Sequence, residues 1–140
     1  MINRMESLNI FFLILNYKSH KDTISFVRHI LSQEDVLSLL PILIVDNFSS
    51  DHSFEILQQE FRDNQKIEVI QTQKNGGYGY GNNWGIKHLK NTYNPEFIII
   101  SNPDITADVT IIPEMLKAFL VDKKIATVSV QMMNSQNKHQ

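Results

Sequence analysis

The sequence contains no cysteine. Disulfides, thiolate metal sites and cysteine nucleophiles are therefore excluded, and any catalysis must use oxygen or nitrogen groups. Long hydrophobic runs are missing too. The longest, residues 39–45 and 97–100, fall well below the ~20 residues that cross a bilayer. Residues 10–15 are too short for a signal-peptide core, so neither an export signal nor a transmembrane segment is expected. Lack of cysteine suits a reducing compartment, and the expected placement is cytoplasmic, free or peripheral at the inner membrane face. The formal net charge is only −2, which gives no electrostatic reason to expect nucleic acid or an anionic membrane surface as main partner. The histidines, His20, His29, His52, His88 and His139, are scattered without metal-ligand spacing.

What is present suits one soluble domain. At 140 residues a globule hides roughly 68–70% of its unfolded surface, enough for a real core. Residues 10–15 form a continuous apolar run that reads as a strand buried on both faces. Ser19 with Asp22 resembles a capping box, and Ile24, Val27, Ile30 and Leu31 recur at helical spacing, predicting a helix over residues 20–32. Residues 42–45 predict a second strand, followed by a turn-and-cap cluster in which Ser50 and Asp51 read as caps. Phe54, Leu57 and Phe61 mark a second helix, and residues 67–71 a third strand.

Glycine is scarce, five in all, and concentrated between Gly76 and Gly85. A helix starts within this stretch and ends at about Lys90, with Trp84, Ile86 and Leu89 on its apolar side. Residues 97–100 predict a fourth buried strand, and residues 113–121 a helix with Met115, Leu116, Phe119 and Leu120 at core spacing. Residues 125–130 read as a fifth strand and 134–140 as a frayed polar tail. Strand–helix alternation predicts an α/β fold, a mostly parallel sheet with helices on both faces. Ligands in such sheets sit outside the carboxyl ends of the strands, where Asn16-Tyr17, Asp46-Asn47 and Asn102 to Asp104 fall.

Each of these groups has two readings. Tyr17 is an amphipathic rim residue or a flat surface for a nucleobase. Asp46 fixes its own turn or accepts hydrogen bonds from a base N–H or ribose hydroxyl. Asp104, after the stiff Asn102-Pro103 pair, caps a turn or binds a hard divalent cation bridging to a diphosphate. The glycine stretch lacks the Gly-Lys-Ser/Thr ending of a P-loop and does not follow the first strand as a dinucleotide fingerprint does; packing of a tight turn is its other reading. A flavodoxin-like signalling domain would need a carboxylate pair after the first strand, which ends instead in Asn16-Tyr17.

The runs Ile14-Leu15-Asn16-Tyr17, Val45-Asp46-Asn47-Phe48-Ser49-Ser50-Asp51, Asn75-Gly76-Gly77-Tyr78-Gly79 through Asn82-Asn83-Trp84-Gly85-Ile86, and Asn102-Pro103-Asp104 together resemble family-two glycosyltransferases, and most closely the rhamnosyltransferase-like branch. The resemblance covers residues 10–133. It implies a GT-A, Rossmann-like three-layer domain binding a UDP- or dTDP-sugar. In that picture Asn16, Tyr17, Asp46, Asn47, Asn75, Gly77, Asn82, Asn83 and Asn102 contact the nucleotide, and Asp104 holds Mg²⁺ or Mn²⁺ on the diphosphate. Neutral Asn102 stands where many relatives carry a first aspartate.

Inverting transfer also needs a carboxylate base for the acceptor hydroxyl. In the family this base and the acceptor contacts, to a polysaccharide or lipid-linked glycan, lie beyond the position of Asn134. The expectation is thus a domain over residues 1–140 that is incomplete at its C-terminus, with the base unassigned. An inactive nucleotide-binding remnant, or a partner subunit of another transferase chain, is the alternative.

Overall fold

A computed structural model of the protein describes residues 8–33 and 40–130. Leu39, His139 and the expected tail at 134–140 lie outside the described residues. The chain divides into two compact units, one ending at Asp108 and one beginning at Val109.

The first unit is built on four strands, β1 (Ile10–Asn16), β2 (Ile42–Asp46), β3 (Ile67–Gln71) and β4 (Phe97–Ser101). All three ladders are parallel, and the order is β3-β2-β1-β4. Every residue of β1 and β2 is buried, as a central parallel strand covered on both faces requires. Helix α1 (His20–Leu31) joins β1 to β2, α2 (Ser53–Phe61) joins β2 to β3, and α3 (Tyr78–Thr92) joins β3 to β4. The first two crossovers step one way across the sheet, whereas the third returns past β2 and β1. Right-handed connection therefore puts α3 on the face opposite α1 and α2. The α3 face of the core consists of Phe11, Leu13, Leu15, Leu43, Val45 and Leu89, with Ile70, Trp84, Ile86 and Ile98 packed against it.

Close approach of α3 to the sheet explains two of the clustered glycines. A Cβ on Gly81 would lie 2.4 Å from Leu15 Cδ1, and one on Gly85 would lie 2.5 Å from Leu13 Cδ1 and 2.8 Å from Val45 Cγ2. This four-residue spacing gives the helix a bare stripe one turn long, on which it rests against β1 and β2.

Several expectations need correction. β4 is not buried on both faces: it is an edge strand, and Ile100 is 45% exposed. An apolar run has the same pattern at the edge of a sheet as at its centre. Ser19 occupies the N-cap of α1 but makes no side-chain cap bond; its hydroxyl lies 3.4 Å from Asn16 Oδ1 instead, so the capping box does not form. In the second unit a 3₁₀ turn (Val109–Ile111) leads into α4 (Ile112–Val121), with proline in its first turn. Leu120, expected in the core, is 83% exposed and Val121 84%; apolar residues continue around α4 beyond the stripe that Met115, Leu116 and Phe119 half bury. Residues 125–130 form no strand. They have β-branched residues, but the chain there is irregular and the Ile125 N–H closes a turn onto Asp122 O.

The glycines of α3 make opposite predictions. Gly85→Ala should destabilise the fold by about 1–3 kcal/mol through overpacking against buried Leu13 and Val45. Gly79→Ala, with open space around its Cβ, should stabilise it by about 0.5–1 kcal/mol. Urea midpoints read both, and shifts of the same sign would contradict this account of the stripe.

Candidate functional site

β1 has β2 on one side and β4 on the other, so the crossovers diverge from it in opposite directions. Its carboxyl end is a topological switch point, where a crevice opens between the loops after β1 and β4.

Beneath that crevice lies a buried polar network. Asn16 and Asp46, the last residues of neighbouring strands, are in register and both 0% exposed. Asn16 Nδ2 donates to Asp46 Oδ1 at 2.7 Å, and Asn16 Oδ1 accepts from Thr23 Oγ1 of α1 at 2.8 Å. Asp46 Oδ2 accepts from Ser49 N–H at 2.9 Å and from Gln71 Nε2 of β3 at 3.0 Å. Ser49 in turn accepts the Lys18 N–H on its hydroxyl at 2.9 Å. One carboxylate thus ties together the ends of three strands and two loops, and its acceptor capacity is met by donors alone. The tied loops contain Lys18 at φ 52, Phe48 at φ 59 and His52 at φ 62, conformations that side-chain-bearing residues rarely adopt and that surrounding structure must hold.

Above the network is a cleft of about 530 Å³ lined by Leu15, Tyr17, Ser19, Asp22, Asn47, Asn75, Gly77, Tyr78, Asn102, Pro103 and Asp104. Tyr17 presents its ring at 43% exposure, with Lys18 Nζ 5.4 Å from the ring centroid, and Tyr78 is 58% exposed. Asn47, 3% exposed, fixes the opposite wall: its Nδ2 donates to Asn75 Oδ1 at 3.0 Å and Gly77 O at 3.2 Å. Asn75 Oδ1 also accepts the Gly77 N–H at 3.0 Å. Gly77 has φ 85, the left-handed conformation that starts α3 beside the cleft.

Of the residues expected to form a site, Tyr17, Asn47, Asn75, Gly77, Asn102 and Asp104 therefore share one cleft. Asn16 and Asp46 lie under it and do not line it. Asn82 turns inward at 5% exposure, donating to Tyr78 O at 3.1 Å, and its Oδ1 is without a partner among the described residues. Asn83 is exposed on α3, away from the lining. Ser19, Asp22 and Tyr78 join the cleft although the sequence pattern gave them no such role. Asp22 was readable only through its place in the first turn after β1, and a capping pattern accounts for that place equally well.

The cleft's chemistry is lopsided. Among the described residues the charged side chains that line it are two carboxylates, Asp22 and Asp104, with Lys18 Nζ beside the Tyr17 ring at its edge. Hard carboxylate and amide oxygens suit Mg²⁺ or Mn²⁺, which bind through one or two carboxylates together with waters and phosphate oxygens. Among the described residues no group of three or more His, Cys, Asp or Glu is placed to hold a metal, so a cation here would rely on its ligand for further oxygens. Asp51 lies outside the cleft, just before the His52 N-cap of α2, where no side-chain cap bond forms, and holds the first residue of that helix. Its Oδ1 accepts Ser53 Oγ at 2.6 Å and Ser53 N–H at 3.2 Å. The Ser53 hydroxyl bond holds its carboxyl below the usual 3.8, against the opposing pull of partial desolvation.

A model of the family described as glycosyl transferase family 2 matches residues 12–140. The low-salt glycan biosynthesis hexosyltransferase Agl10 of Haloferax volcanii is 29% identical over 93 residues, 66% of this chain and 27% of that protein. S. aureus TarS 1-349, solved with UDP-GlcNAc, superposes with a TM-score of 0.62 at 20% identity, over 81% of this chain and 31% of that one. Mannosyltransferase PcManGT from Pyrobaculum calidifontis, solved with GDP-Man and Mn²⁺, gives a TM-score of 0.66 at 13% identity, over 89% and 34%. The chain thus spans about a quarter to a third of the length of these proteins, and the structural likeness is one of fold, the GT-A arrangement. No helix among the described residues is long and apolar enough to cross a membrane.

Two measurements check the network and the Asp51–Ser53 contact. Asn16→Ala leaves Asp46 and Thr23 short of a buried partner and should cost about 1–3 kcal/mol; an unchanged urea midpoint would show the network to be dispensable. Asp51 should titrate below 3.8 by carboxyl NMR. A folded-state value lowered in this way adds stability above the unfolded value that is lost as pH falls through the folded one. Ser53→Ala should return the titration toward the ordinary position, and a titration that stays put would remove Ser53 as its cause.

Proposed function

Since the chain belongs to glycosyl transferase family 2, we propose that the cleft after β1 and β4 receives a nucleoside diphosphate sugar, with UDP or dTDP as the carrier. The observation that carries this reading is the shared lining: an exposed aromatic ring, Tyr17, and a carboxylate, Asp104, face one cleft at the switch point of the sheet. Tyr17 takes the face of the base, where stacking on an aromatic ring contributes about 1–3 kcal/mol per base. Asn47 and Asn75 hold the opposite wall in place through their mutual bond, and Asn16 and Asp46 act from below by fixing the loops that carry Tyr17 and Asn47. Gly77 lets the chain turn into α3 at φ 85, a conformation that strains a residue with a side chain.

Asp104 and Asn102 are the residues that would hold Mg²⁺ or Mn²⁺. When bound, such an ion neutralises charge that builds on a departing nucleoside diphosphate. The two solved structures of this fold, one with UDP-GlcNAc and one with GDP-Man and Mn²⁺, support this chemistry. For the whole protein we propose transfer of the sugar to a polysaccharide or lipid-linked glycan on the cytoplasmic side, with a base outside the residues assigned to this cleft.

Calorimetry with UDP and dTDP in the presence of Mn²⁺ tests the proposal. Binding of one of them is expected. Tyr17→Ala should weaken it by about 1–3 kcal/mol whether or not metal is present, whereas Asp104→Asn should weaken it by about tenfold only with Mn²⁺. Folded protein that binds neither nucleotide would overturn the reading.

A further inference from the structure

Asn47 and Asn75 end in carboxamides, and a carboxamide offers a ligand either donors or an acceptor according to which way its plane is turned. Two backbone groups settle the choice in this cleft. Gly77 O, a carbonyl that can only accept, lies 3.2 Å from the Asn47 carboxamide, so the atom facing it is Nδ2. The Gly77 N–H, which can only donate, meets the Asn75 carboxamide at 3.0 Å, so the atom facing it is Oδ1. Each side chain then suits the other, Asn47 Nδ2 donating to Asn75 Oδ1 at 3.0 Å.

The pair is closed from behind by Thr72, which is only 2% exposed. Its hydroxyl is shared between Asn47 Oδ1 at 3.3 Å and Lys74 O at 2.9 Å. On α3, a Cβ at Gly81 would lie 3.3 Å from Asn47 Cγ, so the helix backbone also packs against this carboxamide. Both ends of Asn47 are therefore committed to protein, and the acceptor of Asn75 is committed twice. What remains is Asn75 Nδ2, which has no hydrogen-bond partner among the described residues and belongs to a side chain that lines the cleft. Turning Asn75 over would set donor against donor at Gly77 and at Asn47 together, so the side chain keeps its NH2 end for the ligand.

A base lying on the Tyr17 ring gives its face to that ring and leaves its edge to hydrogen-bonding groups. We propose that Asn75, held by Gly77, Asn47 and Thr72, is a donor-only reader of that edge and selects the 4-oxo group of uracil or thymine against cytosine. Cytosine carries an amino group there, and two donors facing each other leave both unsatisfied. Asn75 is then the specificity-determining residue and Thr72 a positioning residue that acts through Asn47. The proposal rests on the nucleotide-sugar reading of the cleft and deepens it by naming the group that reads the base.

Calorimetry of the full chain with UDP and CDP tests it as a ratio of affinities, with UDP expected to bind about tenfold tighter or more. Asn75→Asp keeps an acceptor oxygen for Gly77 and Asn47 but replaces the free donor by an acceptor, and its added charge acts on both diphosphates alike. The ratio should fall by about tenfold, to parity or below. Thr72→Val, which removes the hydroxyl and keeps the shape, should lower the ratio by about threefold or more, and Thr72→Ser should restore it. A residue that only supports the fold would weaken UDP and CDP together, so a ratio unchanged in Thr72→Val would strike out Thr72. Equal loss of both nucleotides in Asn75→Asp, or equal affinity for them in the unmodified chain, would overturn the role of Asn75 and leave the nucleotide reading standing. Folded protein that binds none of UDP, dTDP and CDP would remove both.

Discussion

The pairing of Asn16 with Asp46 is the constraint on which the upper end of this sheet depends. A carboxylate at 0% exposure is tolerable only when hydrogen bonds replace its lost hydration, and here they come from β1, from β3 and from the loop after β2. Removing any of these donors leaves charge without compensation, so the strand ends cannot shift independently. The same bonds hold Lys18 and Phe48 in left-handed conformations, strain that a looser loop would release. Local distortion at the rim is thus maintained by satisfaction of polar groups below it.

From that base the cleft follows as a consequence of connectivity. Reversal of direction after β3 separates the loops on either side of β1, and the gap is walled by whatever those loops carry. Its walls are Tyr17 with the start of α1, Asn47 bonded to Asn75, and the turn containing Asn102 and Asp104. Polar side chains with fixed partners form the Asn47–Asn75 wall, while side chains without partners, Asp22 and Asp104, face open space. The division between committed and uncommitted groups distinguishes scaffold from ligand-facing surface better than burial alone, since Asn47 is nearly buried and still lines the cleft.

Much of this was legible in the residues and some of it could not be. Continuous apolar runs ending in polar clusters mark β1, β2 and β4, and helical spacing marks α1 to α4. Position within the sheet was not readable, since β4 has the same run at an edge that β1 has at the centre. Residues 125–130 have strand composition, but composition cannot supply a ladder partner. In the site, strand ends pointed to Tyr17, Asn47, Asn102 and Asp104, and the family resemblance to Asn75 and Gly77. That Asn16 and Asp46 face each other instead of the cleft depends on the pleat and the register of β1 against β2. Asp22 was hidden because a carboxylate three residues past a serine fits a cap as well as a cleft. Gly81 and Gly85 likewise fit a ligand loop and a packing stripe equally until Leu13 and Leu15 are seen beneath them.

The long return to β4 has a consequence for the order of assembly. Contacts between β1 and β4 close a separation of 87 positions, as between Asn9 and Glu96, whereas the other strands pair with nearer neighbours. During synthesis the first three strands can associate as they emerge, but the last must cross back over finished structure before the crevice has its second wall. Loop closure over such a distance is entropically slow. The crevice is therefore complete only once β4 pairs with β1, and the first three strands alone lack its second wall.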